Sequence, residues 1–132
     1  MEIIFRIHSI FGEMVLPLLI VIAAIWFTVA WKPGVRPERP ARLFPILVDI
    51  QFVLGLIWWI YGIVAGFGIA AGYLAFPFIL HPILGFVSVI LAHMSVNPKS
   101  KISVLGRWAP LATMALLLVS ILGGVVIART VA

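Results

Sequence analysis

The stretch that decides the fold is Ile7–Trp31, IHSIFGEMVLPLLIVIAAIWFTVAW. From Met14 to Trp31 it carries no charge. At about 1.5 Å per residue it is long enough to cross a hydrocarbon core of about 30 Å. Its length, the Glu2 and Arg6 before it, and its end in Trp31-Lys32-Pro33 without small cleavage-site residues mark it as a retained span, not a leader.

Working outward, three further apolar runs follow, at about 43–66, 77–96 and 108–128. Lys32 to Arg42, with Pro33, Pro37 and Pro40, predicts an extended connector. Pro45 suits the first turn of the second span. Phe67 to Phe76 predicts a glycine-spaced, uncharged link, and Asn97-Pro98-Lys99-Ser100-Lys101 stops the third span. The expected architecture is an all-α integral membrane four-helix bundle. It runs up-down-up-down as one domain over 1–132, with no separate soluble domain.

Composition agrees: 64% of the 132 residues are hydrophobic and 10% charged, against about 25% charged in soluble domains. A chain this small cannot hide so much apolar surface from water, so lipid is its expected partner. Cysteine is absent, which excludes disulfides, iron–sulfur clusters and thiolate metal sites. The net charge of +5 does not point to nucleic acid, because the basic residues sit between the apolar runs. Lys32, Arg36, Arg39 and Arg42 follow the first span, and Lys99, Lys101 and Arg107 follow the third; the other face keeps Arg6 and Arg129. By the positive-inside rule both basic connectors are cytoplasmic, both termini are extracytoplasmic, and the membrane is the cell's inner (plasma) membrane. Trp31 and Trp108 then lie at the cytoplasmic interface.

Ionisable groups inside spans are costly and suggest function. Here they are His8, Glu13, Asp49, His81 and His93, with Gln51 as a neutral companion. His8 opens the first span and His81 lies one turn into the third, at similar depth in the outer leaflet. Two imidazoles from facing helices suit the axial positions of a low-spin haem b. Each is followed four residues later by a glycine, Gly12 and Gly85, on the same helix face. Those glycines predict a notch beside each ligand through which a flat macrocycle approaches the backbone. Pro82 is expected to weaken the local helix ladder and aim His81. Hydrogen-bonded interface histidines are the alternative. His93 lies 12 residues beyond His81, about 18 Å along the axis, at the depth of Asp49. That pair, with Gln51, reads as a proton or quinone site or as a structural bond between spans. Glu13 is neutral, faces a polar cavity, or pairs with Arg6 by snorkelling. Gly62-x-x-x-Gly66 is a close-packing motif, either within the bundle or in an oligomer such as a homodimer. The aromatic run Trp58-Trp59-Ile60-Tyr61 reads as core or lipid contact, or as facing a cofactor.

Ile7-His8-Ser9, Asp49 through Leu56, and His81-Pro82 through Ala92-His93 resemble segments of small bacterial four-span proteins labelled cytochrome b or cytochrome b561-like. The resemblance covers three of the four spans in order. It implies His8 and His81 as haem ligands, with His93, Asp49 and Gln51 as associated polar positions. True b561 proteins usually carry more histidines, paired for two haems. This chain has three, so one monomer can hold one bis-histidine haem. The leading expectation is a haem-b electron carrier working to or from quinone, as a subunit of a respiratory or photosynthetic complex. The rival is a cofactor-free accessory subunit of a larger membrane complex. A transporter or channel is the weakest option, since few polar residues line a path.

Overall fold

A computed structural model of the protein describes residues 1–36, 38–65, 74–76 and 78–131. Those residues form four helices and no strand. They are α1 (Glu2–Val29), α2 (Leu43–Val64), α3 (Leu80–Ser95) and α4 (Ala109–Val131). Three helical segments are long and apolar enough to cross a membrane: Glu2–Val29, Leu43–Val64 and Lys101–Thr130. Leu80–Ser95 is apolar but shorter. The predicted third span begins at Pro77, which lies outside the described residues, as do Gly66 and most of the 67–76 link.

The helices close on themselves: α3 packs on α4, α4 on α1, α1 on α2 and α2 on α3. Phe5 meets Trp58 at one end of the α1–α2 contact, and Phe27 meets Phe44 at the other. Residue numbers therefore rise along α1 as they fall along α2. The core fills one half of the bundle. Leu16, Ile20, Ala23 and Phe27, spaced to share a face of α1, pack with Phe44, Val48, Ala92, Met114 and Leu117. Outside, Ile3, Leu18, Val29, Val64 and Val119 stand exposed. This apolar exterior is what a lipid-facing surface requires and what water would penalise.

Four details differ from the sequence expectation. First, α1 begins at Glu2, so His8 does not open it but lies nearly two turns inside. The Glu2–Arg6 ion pair (2.7 Å) supports that extra turn through an i,i+4 contact. Second, α1 contains a π-helical turn, Phe11–Val15. Pro17 follows it, and a proline inside a helix can neither donate to nor fit against the carbonyl four residues back, here that of Glu13.

Third, the 32–42 connector is not extended throughout. Lys32-Pro33-Gly34-Val35 makes a tight turn closed by Val35 N–H donating to Lys32 O (3.3 Å). Gly34 has φ +69°, the left-handed value that favours glycine at the third turn position. Arg39–Arg42 then forms a 3₁₀ turn leading into α2. Fourth, Pro82 is the third residue of α3, where its absent N–H would have had no intrahelical partner. It therefore starts the helix and does not kink it.

Candidate functional site

His8 and His81 come together. Their ring centres are 6.0 Å apart and their planes nearly perpendicular, at 82°. Each ring is held by a backbone carbonyl of a neighbouring helix. His8 Nδ1–H donates to Gln51 O (3.1 Å) from α2, and His81 Nδ1–H donates to Gly124 O (2.8 Å) from α4. A carbonyl can only accept, so these bonds put a proton on Nδ1 of each ring and leave Nε2 outside them. Nδ1 bonded to a carbonyl with Nε2 left basic is the state in which a histidine binds metal.

The rings line a cavity of about 390 Å³ among the four helices. Its wall is mostly aromatic and aliphatic, with Phe52, Leu56, Trp58, Trp59 and Phe78 prominent. Polar side chains interrupt it, Gln51 among them. Gln51 Nε2 donates to His8 O (2.8 Å), while its buried Oε1 has no hydrogen-bond partner among the described residues. A buried acceptor left so costs about 1–3 kcal/mol. Glu13 and Arg129 also line the cavity, joined by an ion pair at 2.5 Å. Glu13 thus faces the cavity and pairs across helices; Arg6 pairs with Glu2 instead.

The glycines act differently from expectation. The notch at Gly12 receives the Gln51 amide, which a Cβ there would overlap, and a Cβ at Gly85 would lie 2.9 Å from Phe52 Cδ2. The histidine rings themselves pack against two other glycines. A Cβ at Gly55 would overlap the His8 ring, and Gly124 leaves 3.5 Å to His81 Nδ1. Both had a signal in the sequence. Gly55 lies four residues after Gln51 and Gly124 four after Ser120, on the same faces. Ser88 and Ser120 join α3 to α4 at the cavity wall, their hydroxyls 3.0 Å apart and both against Leu84 O.

Asp49 and His93 form a second, separate cluster. His93 Nε2 lies 3.1 and 3.0 Å from the two Asp49 oxygens, linking α2 to α3. The pair is on the outside of the bundle, with His93 55% and Asp49 37% exposed at the side chain. Gln51 does not belong with it. Two residues along a helix are about 200° apart, so Asp49 points outward where Gln51 points inward.

The coupling is expected to be measurable. In an Asp49→Asn, His93→Ala double-mutant cycle, detergent-state stability should show about 0.5–3 kcal/mol of non-additivity. Additive losses would mean that the two side chains do not act together.

Among the described residues no three or more His, Cys, Asp or Glu side chains gather as a metal-ion cage. If a haem were bound here, His8 and His81 would be the two side chains to hold it, through their imidazoles. The two imidazole donors and the largely apolar wall fit such a group, whereas the glycine notches are already occupied by protein side chains. Comparison with known protein families, curated proteins and solved structures finds no match.

Proposed function

We propose that the chain binds one haem b between His8 and His81 and carries electrons within the plasma membrane, exchanging them with quinone. The observation that carries this reading is the matched pair of carbonyl-held imidazoles, 6.0 Å apart on a largely apolar cavity. Gln51 and Gly124 orient the ligands through their carbonyls, and the aromatic wall excludes water. When bound, the haem supplies a one-electron iron couple. The Asp49–His93 pair gives a proton-exchanging position on the lipid-facing surface, where a bilayer-dissolved quinone reaches it. The carrier works as a subunit of a larger respiratory or photosynthetic assembly.

The test is the visible spectrum of the chain purified after expression with ample haem, with and without dithionite. A six-coordinate low-spin spectrum supports the reading. A colourless protein favours the second reading, a cofactor-free accessory subunit of a membrane complex. One observation speaks for that alternative: Gln51 and Phe52 already fill the notches at Gly12 and Gly85.

The proposed topology is up-down-up-down with both termini extracytoplasmic, supported by seven of the nine basic residues lying in the two connectors at one end. In intact cells Arg39→Cys and Ser100→Cys should resist an impermeant thiol reagent, and Thr130→Cys should react. External labelling of Ser100→Cys would reverse the orientation.

A further inference from the structure

Another cavity, of about 440 Å³, lies at the opposite end of the bundle from His8 and His81, between the connectors that follow α1 and α3. Lys32 and Arg36 line it from the first connector; Asn97, Ser100 and Ser103 line it from the second. Glu38 is the one carboxylate on its described wall. Five further cations, Arg39, Arg42, Lys99, Lys101 and Arg107, belong to the same two connectors, so the local field is strongly positive. The inner wall is apolar, with Phe27 and Val96 among its residues. Trp31 lines it too, its indole 3.9 Å from where a Cβ would stand on Gly106. Gly106 has φ +59° and ψ −131° and breaks the 3₁₀ segment Lys101–Trp108 just before α4. It thereby lets the second connector fold over against the first.

We propose that this cleft binds the phosphate head group of an anionic phospholipid. Cations and hydroxyls converge at the level where the apolar helices end, which is the depth of lipid phosphates. The chemistry is that of a phosphate monoanion held by lysine, arginine and serine. Below the head-group level the apolar wall suits the glycerol and upper acyl carbons, which a soluble phosphate lacks. This inference is independent of the haem reading and survives its failure.

The experiment titrates the full chain, in neutral detergent, with phosphatidylglycerol and with phosphatidylcholine, and counts retained lipid by native mass spectrometry. One phosphatidylglycerol per chain is expected in preference to phosphatidylcholine, weakening as salt is raised. Lys32→Gln/Arg36→Gln should weaken retention about 30-fold, at about fivefold per basic residue. Arg36→Lys, which keeps the charge, should restore most of the binding relative to Arg36→Gln. Lys99→Gln/Lys101→Gln removes equal charge from the same end outside the cleft, and should have a much smaller effect. Equal weakening by both double variants would replace the site with a diffuse surface field and overturn the proposal. Displacement of the lipid by excess inorganic phosphate would overturn the lipid source in favour of a soluble anion. Absence of any head-group preference in the unsubstituted chain would overturn it without recourse to variants.

Discussion

Purified with haem supplied, the chain is expected to be red, and His8→Ala or His81→Ala to abolish its six-coordinate spectrum. Each substitution removes one iron bond and leaves the other imidazole in place, so a residual five-coordinate, carbon monoxide-binding form is the expected product. The intact protein should bind carbon monoxide poorly because both axial positions are taken. His93→Ala should leave the spectrum nearly unchanged, because it lies about 18 Å from His81 along α3. A spectrum lost only in His93→Ala would refute the choice of ligands. A spectrum insensitive to all three would place haem elsewhere.

The second large effect is steric. Gly55→Ala should destabilise the bundle and strip haem from it, because the added methyl overlaps the His8 ring. Overpacking of this kind costs about 1–3 kcal/mol. Gly124→Ala is the control: its methyl would sit 3.5 Å from His81 Nδ1, an ordinary contact. Removing a helix-interior glycine gains about 0.5–1 kcal/mol, so Gly124→Ala should be neutral or slightly stabilising. Thermal unfolding in mild detergent distinguishes the two. Equal effects at Gly55 and Gly124 would mean that His8 is not seated against Gly55.

The four helices were legible because their signal is long and collective: uninterrupted apolar runs bounded by proline, glycine and basic residues. The meeting of His8 with His81, and of Asp49 with His93, was legible from residue type and depth. Depth alone could not give azimuth. Closeness in sequence groups Gln51 with Asp49, although a helix turns them to opposite faces. The glycine notches failed for a related reason. An i,i+4 relation places Gly12 near His8 on one helix face, but which neighbour fills the space depends on the facing helix, and Gln51 reaches it first. The start of α1 at Glu2 was hidden because Arg6 and Glu2 look like flanking charges until paired.

The shortness of α3 has a consequence for the surrounding lipid. Leu80–Ser95 is 16 residues, about 24 Å of helix against a hydrocarbon thickness of about 30 Å. If α3 crosses the bilayer as proposed, the acyl chains beside it compress or a neighbouring protein stands in for them. Either response draws the water boundary toward the first turn of α3, where His81 is the second residue. On the proposed haem reading, an electron held between His8 and His81 would then sit just beneath one aqueous phase, within reach of a water-soluble donor or acceptor.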